Sequence, residues 1–454
     1  MTKRIKQSIL LGGDILFLYL SLYLTLLIRY RQLPDAETWN LHFGSFSIIF
    51  IGWVLILYIS NLYNLHLAVN NRTFFQNSFK AMGISALFSA VFFYLNQNIA
   101  IAPKTNLLIF LFVFAFLFYI WRQFYNWILK SQLPKNNVAI IGLNKEVEEL
   151  VQEFALKPHL GYIVKFIINE KQDGIKNIGN IPILNNIKNL KKLIADKKIS
   201  SIILAENPHD SNELRSALFE CLPLKINIVN LANFYENITG KIPIQAINQM
   251  WFLENLNEGS KGLFDKTKRI YDFVFALAIL LISAIFWPII GILIKIQSPG
   301  PVFFKQLRAG KNNKPFVMIK FRTMKIAGND HSLTRVNDER ITKFGSFLRK
   351  SRIDEIPQVL NIIFGDMSFI GPRPERPELI VELAKNIPFY HERTLVKPGL
   401  SGWDQISGEY HSPTKEDTLK KLQYDLFYIK NRSLYLDVSI ALKTIATMLG
   451  RGGI

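Results

Sequence analysis

The sequence predicts three successive architectures: a membrane α-helical bundle, an α/β Rossmann-like domain, and an α+β domain anchored by a re-entrant membrane helix. Three observations predict them. Four apolar stretches fill the front of the chain. Strand-like and helix-like stretches then alternate. A fifth apolar run, interrupted by a proline, opens the last part. At 454 residues the chain exceeds one ordinary domain. The expected boundaries are 1–135, 136–262 and 263–454.

The first apolar run goes from Ile9 to Ile28, about 20 residues, enough for a bilayer core. It is too long for a signal-peptide core, and no small-residue cleavage site follows. Runs from Phe43 to about Leu62, from about Phe79 to Leu95, and from Asn106 onward complete the set. Lys3, Arg4 and Lys6 precede the first run, Arg72 and Lys80 lie in the second connection, and Arg122, Lys130 and Lys135 follow the fourth. With four spans these charges share one side, the cytoplasmic side, with both ends inside. Arg29 and Arg31 break that rule. Asp14, inside the first span, is either a functional intramembrane acid or a polar packing group.

After "SQLPKNN" the pattern changes. "VAIIGLNKEVEELVQEF" reads as a buried strand, a glycine turn and a helix. "YIVKFIIN", "SSIILAE" and "KINIVNL" read as further strands, with helical stretches such as "NIKNLKKLIADKK" between them. That alternation predicts a parallel, doubly wound sheet. Dinucleotide binding is not predicted with it. Gly142 is followed by Leu143, Asn144 and Lys145, so two of the three fingerprint glycines are missing. A structural or regulatory role is expected instead. The one cysteine, Cys221, excludes a disulfide framework or a zinc ribbon within one chain and reads as core.

The fifth run, Phe273 to Ile294, is about 22 residues long. Lys266, Lys268 and Arg269 precede it; Lys295, Lys305, Arg308 and Lys311 follow. A full crossing would carry the Lys/Arg-rich C-terminal part outside. Pro288 removes a backbone donor and breaks or kinks the helix. A re-entrant helix over about 270–296 keeps both flanks on one side; a plain span with a tolerated proline is the alternative.

Basic stretches then recur beside glycine and proline turns: "KQLRAGKNNKPFVMIKFRTMK", "KFGSFLRKSR", "GPRPERPE" and "VKPGLSGWDQ". Arg308, Lys320, Arg322, Arg373 and Lys397 are the candidates to converge on phosphate. The net charge of +19 calls for an anionic partner. No nucleic-acid motif occurs, so acidic lipid head groups and a phosphorylated substrate account for it better.

"DEIPQVLNIIFGD" reads as a helix with Ile356, Leu360 and Ile363 on one face, Pro357 in its first turn and Gly365 as its stop. Asp354 then falls at or near the N-cap. Neighbouring helical residues point about 100° apart, which argues against Asp354 and Glu355 as a symmetric acid/base pair. Two readings stay open. Asp354 caps the helix, or one carboxylate attacks phosphorus while the other holds Mg²⁺ or steers a proton. A helix N-terminus would also welcome a phosphate. No P-loop, HExxH or GxSxG element points to another chemistry.

The succession "KRIYDFVFALAILLISAIFWPIIGILIKI", "SPGPVFFKQLRAG", "FVMIKFRTM", "RKSRIDEIPQVLNIIFGDMSFIGPRPE" and "VKPGLSGWDQISG" resembles the bacterial polyprenyl-phosphate sugar-1-phosphate transferases, or monotopic phosphoglycosyl transferases, over about residues 264–454. The front half resembles the long members of that family. The resemblance implies transfer of a sugar-1-phosphate from a UDP-sugar to undecaprenyl phosphate, releasing UMP and starting an exopolysaccharide, capsule or O-antigen. It implies Asp354 as nucleophile of a covalent phosphosugar intermediate, Glu355 as its assistant, and Mg²⁺ held by this pair. It also implies an α+β catalytic domain on the cytoplasmic side of the bacterial inner membrane, anchored by a re-entrant helix broken at Pro288.

Two positions depart from the family's pattern: Trp287 stands where Ser is frequent, and Ala309 where Pro is common. "LYLDVSIALKTIATMLG" reads either as an interfacial amphipathic helix or as core. The expected partners are a UDP-sugar, undecaprenyl phosphate and membrane lipid, with a homodimer left open and no nucleic acid. The rival enzyme is a membrane-anchored nucleotide-sugar dehydratase or epimerase, which needs the missing glycine fingerprint and a Tyr-x-x-x-Lys pair. A non-catalytic membrane scaffold would not need Asp354 and Glu355.

Overall fold

Four helices lead the chain: α1 (Lys3–Tyr30), α2 (Ala36–Ile59), α3 (Arg72–Leu95) and α4 (Pro103–Ser131). Their 24 to 29 residues give roughly 36 to 44 Å at 1.5 Å per residue, and each is long and apolar enough to cross a membrane. The structure is a computed structural model. It describes residues 3–60, 62–63, 72–96, 103–131, 136–156, 160–170, 177–256, 258–325, 338–407 and 414–450. Lys135, counted among the flanking charges, lies outside the described residues.

Aromatic rings fill the inner faces of these helices. Trp53 meets Phe110 and Phe114 edge-on at 5.3 and 5.2 Å between centroids. Leu16, Phe79 and Phe112 stand exposed on the outer faces, where lipid would cover them. Asp14 on α1 accepts a 2.6 Å hydrogen bond from Arg122 Nη2 on α4, and both side chains are fully buried. Arg122 Nη1 donates to the Leu62 carbonyl at 2.9 Å. The sequence placed Arg122 among the flanking charges. It sits inside α4 instead, where Asp14 compensates its charge. Asp14 is therefore a packing partner across the bundle.

The middle of the chain holds β1 (Asn136–Ile141), α5 (Lys145–Leu156), β2 (Tyr162–Ile168), β3 (Asn177–Ile178), β4 (Ile181–Leu184), α6 (Leu190–Asp196), β5 (Ser201–Leu204), α7 (Asn212–Glu220) and β6 (Asn227–Asn230). The six strands form one sheet in the order β3-β4-β2-β1-β5-β6. Val138 to Ile141, Phe166 to Ile168 and Ile202 and Ile203 are buried, as expected for strands covered on both faces. β2 and β4 pair in parallel, but β3 and β4 are antiparallel, so the sheet is mixed rather than wholly parallel. The short hairpin over 177–184 had no clear alternation to announce it. Cys221 is buried, and its Sγ donates to the Ala217 carbonyl at 3.1 Å.

Contacts divide the chain into two units. The first holds α1–α4 and most of the sheet. The second holds Ile228–Ile454 with the short segments Ile141–Val147 and Ile203–Asn207. It comprises α8 (Leu231–Thr239), α9 (Gln249–Asn255), α10 (Gly262–Ala284), α11 (Trp287–Gln297), β7 (Phe303–Ala309), β8 (Pro315–Phe321), α12 (Lys343–Lys350), α13 (Gln358–Phe364), β9 (Ser368–Ile370), α14 (Pro377–Asn386), β10 (Gly399–Ser401), α15 (Lys415–Asn431) and α16 (Leu434–Gly450).

In this second unit, residues after β6 pack with the C-terminal helices. Ile242 and Ile244 share a core with Tyr390, Leu422, Leu426 and Ile440. The Ile242 N–H donates to the Gln423 carbonyl at 3.1 Å, and Glu236 receives Lys430 and Asn431, each at 2.6 Å.

α10 and α11 form an apolar helix pair bent by 61°. Pro288 lies in the first turn of α11. Trp287, the first residue of α11, fixes the corner: its ring packs edge-on against Phe303 and Phe321, and its Nε1 donates to Ser283 Oγ at 3.2 Å. The base of α10 is tied to α16. Asp437 receives Lys268, Tyr271 and, at 2.8 Å, the Tyr428 hydroxyl. α16 buries Leu436 and Ile440 in the core and leaves Leu434, Tyr435 and Val438 exposed.

Candidate active site

The site is built on the β7–β8 hairpin. The strands pair antiparallel from Phe303↔Phe321 to Ala309↔Pro315. Asn312 and Asn313 turn the chain in left-handed conformation, φ 53° and 59°, which asparagine tolerates well. α13 lies against β8 through Asn361, whose Nδ2 donates to the Val317 carbonyl at 2.7 Å while its Oδ1 accepts the Ile319 N–H at 3.1 Å. One side chain thus fixes the carboxylate-bearing segment to the strand that carries Lys320.

Asp354 does not cap α13. α12 ends at Lys350, Arg352 turns left-handed at φ 58°, and Ile353–Glu355 winds as a single 3₁₀ turn. The helix begins only after Pro357, with no side-chain cap, and ends at Gly365, φ 91°. The helical pattern was real, but the tight turn shifts its start by four residues, from Asp354 to Gln358. Asp354 is 8% exposed, and its Oδ1 has no hydrogen-bond partner among the described residues. A buried carboxylate oxygen without a partner is costly, and native structures keep few of them.

Its neighbour is heavily engaged. Glu355 Oε1 accepts Lys320 Nζ at 2.7 Å and Arg373 Nη2 at 3.3 Å, and Arg352 stands 3.8 Å from Oε2. Burial alone would raise the Glu355 pKa. Arg373, Lys320 and Arg352 outweigh it and hold the carboxyl at about 2. Asp354 moves the other way: burial first, then the Glu355 charge, raise it against the pull of Lys320, Arg349 and Arg352. Two adjacent carboxylates are therefore driven apart by their surroundings. The Lys320 pKa is lowered, by burial first and by Arg373, while Glu355 opposes the shift.

The five basic candidates part company. Arg308, Lys320 and Arg373 line one recess with Glu355, Gln358 and Gly399. Arg308 Nη1 donates to the Pro374 carbonyl at 3.0 Å and Nη2 to Gln306 at 2.6 Å. Arg322 is not in that recess. Its guanidinium donates to the Ser298 and Pro299 carbonyls at 2.6 and 2.7 Å, closing the chain after α11. Lys397 sits at the far end of α13: a Cβ on Gly365 would lie 3.4 Å from Lys397 Nζ and from Arg269 Nη2. Arg269 donates to the last carbonyls of α13, Ile362 at 2.5 Å and Ile363 at 2.6 Å, a cation where the helix C-terminus is negative.

Sequence reasoning missed Arg269, Arg349, Arg352 and Arg393. Arg349 Nε donates to Thr323 Oγ1 at 2.8 Å and faces Asp354. A basic residue just before an acidic pair was the signal for Arg352. Nothing local marks Arg393. The parallel β9–β10 pair, Gly399↔Ser368 and Ser401↔Ile370, brings the "GPRPE" loop against "KPG". Ala309 donates its N–H to the Glu375 carbonyl at 2.9 Å, a bond that proline at this position could not make.

Four membrane-length helices mark a membrane-associated protein, and a buried carboxylate pair ringed by cations is its candidate enzyme site. The chain belongs to the bacterial sugar transferase family. The family model "Bacterial sugar transferase" matches residues 264–451, and a "CoA-binding domain" model matches residues 59–232. The chain is 31% identical over 353 residues to the UDP-glucose:undecaprenyl-phosphate glucose-1-phosphate transferase of Xanthomonas campestris pv. campestris, covering 73% of this chain and 70% of that protein. It is 38% identical over 250 residues to the UDP-N-acetylgalactosamine-undecaprenyl-phosphate N-acetylgalactosaminephosphotransferase of Aeromonas hydrophila, covering 53% of this chain and 56% of that protein. It thus spans little more than half of the Aeromonas relative. Against the Exopolysaccharide production protein PSS of Rhizobium leguminosarum bv. phaseoli it is 39% identical over 196 residues, 41% of this chain and 96% of that protein.

The turn after β1 does not fit a CoA pyrophosphate. Gly142 adopts φ 93°, and a Cβ there would lie 2.6 Å from Glu206 Cγ. An acidic side chain occupies the approach that a bound pyrophosphate would need.

Proposed function

We propose that the protein transfers a sugar-1-phosphate from a UDP-sugar to undecaprenyl phosphate, releasing UMP, as the first membrane step of exopolysaccharide, capsule or O-antigen synthesis. The observation that carries this reading is the buried Asp354 Oδ1 without a partner, beside a Glu355 that three cations hold ionised. The names of the relatives above support the substrate classes.

In the first displacement an Asp354 carboxylate oxygen attacks the sugar-bearing phosphorus of the donor. An O–P bond forms, the bridging P–O bond breaks, and UMP leaves with that electron pair. In the second, a phosphate oxygen of undecaprenyl phosphate attacks the same phosphorus and Asp354 leaves as a carboxylate. The two anionic substrates need not occupy the site together. Arg373, Lys320 and Arg308 face the recess and offset charge on the transferring phosphoryl group.

The donor set fits Mg²⁺: two adjacent hard carboxylates, one with an unpartnered oxygen. Among the described residues no cluster of three or more His, Cys, Asp or Glu occurs, so phosphate oxygens and water would complete the shell. Held by Asp354 and Glu355, the ion would neutralise phosphate charge.

The acceptor is a lipid phosphate and the donor is soluble, so the site belongs at head-group depth. A re-entrant α10–α11 would hold it there on the cytoplasmic face of the inner membrane; the 61° bend ahead of Pro288 and the flanking Lys266, Lys268 and Lys295 support that reading. The test is UMP release over a panel of UDP-sugars with undecaprenyl phosphate and Mg²⁺. Asp354→Asn abolishes release; unchanged turnover in that variant rejects the mechanism.

A further inference from the structure

We propose that Arg393, paired with Asp425, is a positioning residue for the transfer: it grips the backbone of Arg373 and so sets where that guanidinium stands against Glu355. The proposal rests on the phosphotransfer reading above.

Arg393 is 6% exposed. Its Nε and Nη2 donate to Asp425 Oδ2 at 3.1 and 2.8 Å, and its Nη1 donates to the Tyr390 hydroxyl at 2.8 Å. Nη2 also donates to the Arg373 carbonyl at 3.1 Å. The planar fork makes these three partners one rigid assembly, which a lysine ammonium could not span. Asp425 is fixed on α15, so the assembly refers the Arg373 backbone to a core helix.

The rest of the loop is already held. Gly371 N–H donates to Ser401 O, Gly399 N–H to Pro372 O, and Ala309 N–H to Glu375 O, each at 2.9 Å. Arg373 and Pro374 lie between those anchors: Arg308 holds the Pro374 carbonyl at 3.0 Å, and Arg393 holds that of Arg373. The Arg373 side chain is 44% exposed and meets Glu355 through a single long bond of 3.3 Å. Its own contacts hold it loosely, so its placement depends on its backbone. A buried ion pair is weak evidence of stabilisation, because desolvation opposes it. This pair earns its place by geometry: it ends on a residue that touches the carboxylate pair.

The test uses the full chain in detergent with the UMP-release assay and a double-mutant cycle of Arg393→Lys and Arg373→Ala. Arg393→Lys is expected to lower kcat about 10- to 100-fold, the range for a misplaced catalytic group, with KM for the UDP-sugar within about twofold. Arg373→Ala added to Arg393→Lys is expected to cost less than about threefold more, because both act through one guanidinium. Multiplicative effects overturn the proposal, as does a loss of rate matched by the loss of folded protein. If Arg393→Lys does not fold, Asp425→Asn enters the same cycle, and multiplicative effects there overturn it equally. A wild-type chain that releases no UMP defeats the phosphotransfer reading itself; wild-type turnover with multiplicative variants defeats only the positioning role.

Discussion

Replacing Lys320 with Met tests what the cations do for Glu355. The fall of its pKa from the usual 4.5 to about 2 is worth about 3 kcal/mol in favour of the charged form. Burial works against that shift, so Arg373, Lys320 and Arg352 supply more than the net. Lys320 is the closest, at 2.7 Å, and its side chain is 17% exposed. Arg373 and Arg352 are 44% and 47% exposed, and solvent screens them. Removing Lys320 therefore forfeits about half of the preference, about 1–2 kcal/mol, less the relief of no longer burying an ammonium.

The sign follows from the direction of the shift. A depressed carboxyl contributes stability that is full above about 4.5 and is lost as pH falls toward about 2. Thermal unfolding in detergent should show Lys320→Met melting about 2–6 °C below wild type at pH 7. The gap should narrow as pH is lowered toward 3, because Glu355 of the unfolded chain then binds a proton while the folded wild type keeps its carboxylate charged. Lys320 also pulls the Asp354 pKa down, so the acid limb of UMP release should move to higher pH in the variant. A melting gap independent of pH, together with an unmoved acid limb, would refute the reasoning.

Three further perturbations probe the scaffold. A Cβ on Gly399 would stand 2.1 Å from the Gly371 nitrogen, so Gly399→Ala must displace the loop carrying Arg373; UMP release should fall about tenfold or more while the protein stays folded by circular dichroism. Arg122→Leu strands the Asp14 carboxylate inside the helix bundle and should cost about 3–5 kcal/mol in detergent unfolding, with Asp14→Asn in the same chain restoring part of it. A fragment starting at Ile228 should be more stable than one starting at residue 263, because Ile242 and Ile244 alone bury side chains worth about 3–6 kcal/mol; equal melting temperatures would contradict this.

Long, strongly periodic features were legible in the sequence. The apolar runs needed only length and composition to mark α1–α4, and strand alternation marked β1, β2, β5 and β6. Pro288 marked the helix break, since a missing donor acts locally. What was not legible depended on partners far along the chain. Arg322 and Lys320 are two residues apart and both basic. One closes on carbonyls at 298 and 299, the other on a carboxylate at 355. The sequence states their charge and is silent on which acceptor the fold brings near. The start of α13 failed for a different reason. A 3₁₀ turn and an α-helical first turn share residue preferences, and the left-handed Arg352 that sets the 3₁₀ turn off from α12 is not a residue type that announces φ > 0. Trp287 illustrates a third kind of loss. The sequence shows only its departure from Ser, while its ring packs on Phe303 and Phe321, from two strands the helix pattern could not foresee.

The cations of the C-terminal part divide by what they hold, and this division explains how one carboxylate stays available. Arg269 and Arg322 direct their donors at backbone carbonyls. Arg393 is occupied by Asp425, Tyr390 and the Arg373 carbonyl. Lys320, Arg373 and Arg352 gather on Glu355. Asp354 is next in sequence to that cluster and feels its potential without accepting a hydrogen bond at Oδ1. In the proposed mechanism, a Lys320 bonded to Asp354 instead would tie up the lone pairs that attack phosphorus and make the carboxylate less basic. Glu355 thus serves as the counter-ion that keeps Lys320 and Arg373 at the recess, leaving the adjacent oxygen unengaged. By this logic Glu355→Gln should do more harm than the loss of one ligand: it frees the two cations to close on Asp354, lowering its pKa and its reactivity together.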